Sequence, residues 1–474
     1  MGQNNIDALA SGTLIDAGFA AKNIEAVKEG VSNLERLISN SPDRSDLQYC
    51  LANGLSSQAD LDNTEPPEWY LRTIALRQKA KNLFYNTALN DLTPPLISSQ
   101  SLTNLGNSLL RAFRFIEAYD CYTKAIKYDP TNSIALIGAA KILIHFARSR
   151  PNESNALLAV ASNYLKKAKE NPNRIRELAG EQANQVLLEL IDQEIPPGKL
   201  PDLSSASDYQ KFVAEHRLAL APTIEGLDLS LSRWDSLRFR SITENINEEF
   251  GVPPIFAMFN ALKADFLSAR HLAFTALNSS LPETGKYFDT LDYANYGIQE
   301  SILILAQRSC LDILDKIAVA VTEYLKIPGD TTKIYFSNRW FKKRSEGMPL
   351  EWQPQIHNAI IKGNTALIAI SEVSMDINQG GYLKGMKTLR NSSTHRFTIL
   401  HDLEGSSQRS NDSIIHYSYV EFVVRLIETL QLTRAVLLYF VDMINLGEHL
   451  KDEIKILKGH LTVPDHDWIR GEDV

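Results

Sequence analysis

The chain has 474 residues, room for roughly two to four domains at about 150 residues each. Its 44% apolar, 22% charged and 8% aromatic content excludes collagen-like, disordered and disulfide-rich secreted classes. The 49 Lys and Arg against 57 Asp and Glu leave a formal charge of −8, so a phosphate backbone can be held only by a local basic face.

Residues 1–10, MGQNNIDALA, carry no basic segment ahead of an apolar one and place Ile6 where a myristoylation signal needs Ser or Thr. Cys50, Cys121 and Cys310 are too scattered for a CxxC pair or a disulfide framework. Both features read as a cytoplasmic protein. Helical periodicity dominates and clean apolar/polar alternation is scarce, which predicts an all-α fold. Clusters of Pro, Asn, Asp and Ser at 41–44, 63–67, 93–99, 129–132, 150–154 and 171–173 punctuate short helical pairs before about residue 190.

The segment IPPGKLPDLSSASD, residues 195–208, cannot sustain a helix and reads as a linker. It separates a helical repeat domain, 1–194, from a second helical domain, 209–460, with 461–474 as a tail. Long helices are predicted over Pro253–Leu277, Tyr293–Leu325, Gln353–Val373 and Ser413–Leu446. The most apolar stretch, Val420–Leu446, is broken by Glu421, Arg425, Glu428, Arg434 and Asp442. It reads as an amphipathic core helix, and no membrane association is expected.

A repeat pattern runs through Leu102, Leu105, Gly106, Leu109, Ala118, Tyr122, Ala125 and Pro130. It resembles the tetratricopeptide repeat position for position. Gly106 and Ala118 are small where two antiparallel helices cross, and Pro130 ends the second helix. A looser copy follows through Leu136, Ala140, Leu143, Ala161, Leu165, Ala168 and Pro172, and another begins at Tyr49, Leu51, Ala52 and Gly54. The plain alternative is a generic array of helical hairpins. Either way the region is a solenoid that binds a protein partner or trigger rather than catalyses.

In the second domain one stretch stands apart: Leu389-Arg390-Asn391-Ser392-Ser393-Thr394-His395-Arg396-Phe397. Arg-Asn followed by three residues and His resembles the R-x4-6-H motif of the HEPN (higher eukaryotes and prokaryotes nucleotide-binding) domain, many of whose members are ribonucleases. SDYQKFVAEHRLALAP at 207–222, FNALKADFLSARHLAF at 259–274, LDYANYGIQESILILAQRSCLDILDKIA at 291–318 and HNAIIKGNTALIAIS at 357–371 extend the resemblance over about 207–450. They point to a bacterial HEPN subfamily commonly preceded by such repeats.

The chemistry follows from residue types. RNA transesterification needs a base for the 2′-hydroxyl proton and a cation for the phosphorane, and imidazole and guanidinium suit these roles without a metal or cofactor. His395 and Arg390 supply them. On a helix Asn391 and His395 share a face, whereas Arg390 is displaced by about 140°. The resemblance implies the solution, a homodimer in which two motifs face one cleft, with Asn391 orienting His395 or capping the motif helix. It also implies cleavage to a 2′,3′-cyclic phosphate and a 5′-hydroxyl, in a toxin-like or phage-defence setting. Two departures stand out: Thr394 occupies a position that is acidic in many active relatives, and Phe397 replaces a Tyr found in toxins paired with a nucleotidyltransferase antitoxin.

Two windows lack acidic residues. Lys384, Lys387, Arg390 and Arg396 lie in 380–401, and Lys333, Arg339, Lys342, Lys343 and Arg344 lie in 331–344 among Tyr335, Phe336, Trp340 and Phe341. Basic residues interleaved with aromatics can hold phosphates and stack bases. Lys384, Lys387, Arg396, Arg339, Lys342 and Lys343 are the RNA-binding candidates. For the second window a solvated loop with its aromatics in the core is an equal reading.

Arg308, Asp312, Asp315 and Lys316 read as a salt-bridge network on one helix, with orientation of Arg390 by Asp315 as the lesser reading. His271, His357, His401 and His416 lack metal spacing and read as core or surface residues. GGYLKGMKT at 380–388 mimics a phosphate loop but lacks its Gly-Lys-Ser/Thr ending. The competing function is a non-catalytic interaction protein that binds RNA or holds repeat surfaces together.

Overall fold

The computed structural model describes residues 3–149, 155–191, 195, 198, 203–221, 235–239, 241–244, 252–278, 293–343, 348–378, 380–386, 396–402, 413–451 and 456–459. The chain is mostly helical, as the periodicity predicts. The first ten helices are α1 (Gln3–Ala20), α2 (Ile24–Asn40), α3 (Ser45–Asp60), α4 (Glu68–Arg72), α5 (Ile74–Leu89), α6 (Pro95–Arg111), α7 (Phe115–Tyr128), α8 (Ser133–Ser149), α9 (Asn155–Glu170) and α10 (Pro172–Ile191). With the short α4 set aside, α1 to α9 each pack mainly on a neighbour in sequence and α10 packs on both α8 and α9, the serial contact pattern of a hairpin array.

The local reasons are legible. Asn23 caps α2 by accepting from the Glu25 and Ala26 amides at 3.2 Å, and Pro95 opens α6. Gly106 is small because the Tyr122 ring lies across it, where a Cβ would meet Cε1 at 2.8 Å. Ala118 is fully buried in the same crossing. Buried Asn132 joins α6 to the α7–α8 turn: its amide donates to Ser99 Oγ at 2.9 Å and Thr103 Oγ1 at 3.0 Å, while its oxygen caps α8 through the Ala135 amide.

Beyond the repeat region come α11 (Asp208–Glu215), α12 (Pro254–Asn278), α13 (Ile298–Tyr324), α14 (Pro354–Ile361), α15 (Ala366–Ile377) and α16 (Tyr419–His449). Helices α12, α13 and α16 pack on one another, and α15 packs on α16. Ser207 begins α11 with a reciprocal capping box to Gln210. The segment after α11 is pinned by Arg270 of α12, which donates to Leu218 O at 2.9 Å and makes a two-pronged pair with Asp235 at 2.8 Å on each arm.

Three long-helix expectations are modified. The Gln353–Val373 helix is two, because Gly363 turns the chain with φ 106° between α14 and α15. Helix α13 begins at Ile298 and α16 at Tyr419, since strands take the preceding residues. Among the described residues there are two small sheets. In one, β1 (Ser241–Glu244) pairs antiparallel with β5 (Ile456–Gly459); in the other, β3 (Phe397–His401) lies between antiparallel β2 (Ala294–Asn295) and parallel β4 (Ile414–Ser418).

The repeat helices and the C-terminal helices meet through a buried cluster of charge. From the repeat side come Arg77 and Lys81 of α5 and Arg114 and Glu117 at the start of α7; from the other side come Glu372 and Asp376 of α15, and all six are at most 8% exposed. Lys81 Nζ lies 2.6 Å from Asp376 Oδ2 and 3.1 Å from Glu372 Oε2. Arg77 pairs with Glu372, and Arg114 pairs with Asp376 and, through Nε at 2.9 Å, with Glu117. Three cations thus face three carboxylates. Burial, opposed by Asp376, holds the Lys81 ammonium down at about 7, while Glu117, Tyr382 and Asp376 outweigh burial and keep the Arg114 guanidinium well above its ordinary range.

Removing one member of a buried, balanced set leaves an uncompensated charge in a dry site, at about 3–5 kcal/mol. Glu372→Gln is therefore expected to lower unfolding free energy by about that amount in a urea titration. A loss below about 1 kcal/mol would show that the cluster is solvated or relaxed rather than buried and paired.

Candidate functional site

Asp376 also fixes the chain that leads toward the Arg390–His395 motif. Its carboxylate sits in the ion cluster, and its carbonyl accepts the Leu383 amide at 3.0 Å. The chain returns over the end of α15 through Gly380, at φ 96°, and Gly381, where a Cβ would lie 2.0 Å from that same carbonyl. The glycine pair read as a phosphate-loop mimic is thus a tight reversal that tolerates no side chain at its second position. Tyr382 then turns its hydroxyl to Arg114 Nη2, which donates at 3.0 Å, and Asn82 of α5 donates to the Gly380 carbonyl. Lys384 is exposed and Met386 is buried.

Lys387, Arg390, Asn391 and His395 lie outside the described residues. The chain is described again from Arg396, which is exposed, as is Phe397 at 71%. Behind them the three-stranded sheet holds a polar group. His401 Nε2 lies 2.8 Å from His416 Nδ1, Asn295 donates to Asp402, and the Tyr419 hydroxyl accepts from Gln299 at 3.1 Å. His401 is 2% exposed. Burial, with Glu300 and Asp402 adding to it, raises the Tyr419 phenol. The histidine pair was not visible from spacing, because His401 and His416 sit on two strands whose parallel pairing only the fold reveals.

The 331–344 window is largely structural. Phe336, Trp340 and Phe341 are buried, and only Tyr335 of its aromatics is substantially exposed. Arg339 gives Nε to Thr322 Oγ1 at 2.7 Å and Nη2 to the Ile327 and Pro328 carbonyls at 2.8 and 3.0 Å, closing the C-terminal end of α13. Lys342 is exposed and pairs with Glu351 at 2.6 Å, and Lys343 is exposed. The Asn378 amide donates to Ser337 O at 3.0 Å, so this window abuts the end of α15.

Arg308 and Asp312 form the expected i,i+4 pair at 3.9 Å, Lys316 pairs with Asp265 at 2.7 Å, and Asp315 accepts the Phe336 amide at 2.8 Å. His271 packs on Tyr209 and Phe274, and His357 Nε2 lies 3.0 Å from Glu68 Oε1. Among the described residues no group of three or more His, Cys, Asp or Glu is placed to hold a metal ion, and no helix is long and apolar enough to cross a membrane.

The C-terminal unit is helical, and in sequence the Arg-Asn-x3-His motif falls between α15 and β3. Residues 246–447, which contain α12 through most of α16 and the motif, match the family model described as LA2681-like HEPN. The match begins after the 207–222 segment and does not reach the repeats. No curated protein and no solved structure matches the chain.

The basic candidates differ in what their charge already serves. Arg339→Ala is expected to cost about 1–3 kcal/mol of stability, because the carbonyls beyond α13 lose their donor, and to leave the salt dependence of RNA affinity as in the wild type. Arg396→Ala is expected to spare stability and to reduce the slope of log affinity against log salt by about 1. A reduced slope in the first variant, or an unchanged one in the second, would reverse this assignment.

Proposed function

We propose that the chain is a metal-independent endoribonuclease of the HEPN type. The observation that carries the reading is that the matched family region, 246–447, contains Arg390, Asn391 and His395. The exposed Lys384 and Arg396 on either side support it, since a chain of charge −8 must gather its phosphate contacts locally. His395 takes the proton of a 2′-hydroxyl, whose oxygen attacks the adjacent phosphorus. Arg390 holds the two charged oxygens of the phosphorane, and the 5′ oxygen leaves with a proton returned from imidazolium. Asn391 orients His395, and Lys387 joins Lys384 and Arg396 on the RNA backbone, with Lys342 and Lys343 as outer contacts.

The active form is a homodimer that brings two motifs to one cleft. The repeat helices take a protein partner or trigger, which gives the enzyme a toxin-like or defence role. Expression of the wild type beside Arg390→Ala and His395→Ala, read as cell growth and RNA integrity, tests this. Each substitution is expected to lower cleavage by roughly 100-fold or more. Intact cleavage in both variants, or no cleavage by the wild type with candidate partners present, rejects the reading in favour of a non-catalytic interaction protein.

A further inference from the structure

A cavity of about 430 Å³ lies between helices α5–α7 and the HEPN region, of a size that suits a small organic molecule. Its lining is mainly apolar, with Leu102 and Leu105 of α6 on one side and Leu383, Met386 and Leu432 on the other. Leu89 and Val424, also in its lining, are 48% and 53% exposed, so apolar surface stands in water there.

The charges in its wall are mostly spent. Glu117 is held by Arg114, Asp120 by Arg217 at 2.5 Å, and Glu428 by Lys124 at 2.9 Å with Tyr85 also on it. Lys127 remains, exposed and in no ion pair among the described residues. The charge left over is therefore positive.

We propose that this cavity is a binding site for a small amphipathic organic anion, with an apolar or aromatic body against the leucines and Met386 and its anionic end at Lys127. Its described lining contains neither Arg390 nor His395, so it can be tested without any RNA. Its HEPN-side wall is the same 382–386 segment that the ion cluster fixes, so an occupant touches both halves of the chain.

The test uses the full-length protein and 1-anilinonaphthalene-8-sulfonate, an aromatic body with one sulfonate, titrated by calorimetry and fluorescence. One saturable site per chain is expected. Val424→Trp, at an exposed position, fills the mouth and abolishes it; Lys127→Glu weakens it about fivefold; Leu92→Ala, a substitution of an exposed leucine outside the lining, leaves it unchanged. Circular dichroism confirms that each variant folds. Non-saturable binding, no binding, or wild-type binding by Val424→Trp overturns the site, and unchanged affinity in Lys127→Glu overturns the anionic assignment.

Discussion

Six buried charges hold this molecule together where its two halves meet. Arg77 and Lys81 come from α5, Arg114 and Glu117 from the start of α7, and Glu372 and Asp376 from α15. Such a set is costly to desolvate and costlier to leave half made, so its contribution is positional more than energetic. The two halves cannot slide by a turn of helix without stranding a charge. Asp376 sharpens the constraint because one residue serves both sides: its carboxylate binds the repeat helices and its carbonyl binds the chain that runs on to the motif.

The same cluster leaves the overall charge at the surface unchanged, since its three buried cations match three buried carboxylates. The balance of −8 therefore stands at the surface, and Arg339 is half-buried on main-chain carbonyls. Among the described residues, the exposed basic groups that flank the motif in sequence are Lys384 and Arg396. The proposed RNA contact is therefore narrow, and weak binding elsewhere on the molecule follows from its net charge.

Much of the fold was legible because it is local. The 3.6-residue period marked the helices, and Gly106 and buried Ala118 marked a helix crossing, where the Tyr122 ring leaves no room for a Cβ at Gly106. The strands were not legible. FTILH and IIHYS are five residues each, and IIHYS ends on Ser418, the residue that caps α16, so this strand and the helix run together in sequence. Nor was the ion cluster: Arg77 and Lys81 are four apart and look like a solvated helical face, while their acidic partners lie nearly 300 positions away. The HEPN resemblance rested on ordered segments and one short motif, and the family match to 246–447 agrees with its C-terminal part. The family match begins at residue 246, so the tetratricopeptide pattern around Gly106 stands as a resemblance in sequence.

The central claim is the chemistry assigned to Arg390 and His395, and the ends of the cleaved RNA report on it most directly. Wild-type protein incubated in chelator with an end-labelled RNA should leave 2′,3′-cyclic phosphate and 5′-hydroxyl termini, and a 2′-deoxy nucleotide at the scissile position should block cutting there. Cleavage that proceeds through the 2′-deoxy position, or that leaves 5′-phosphate ends, would contradict the account.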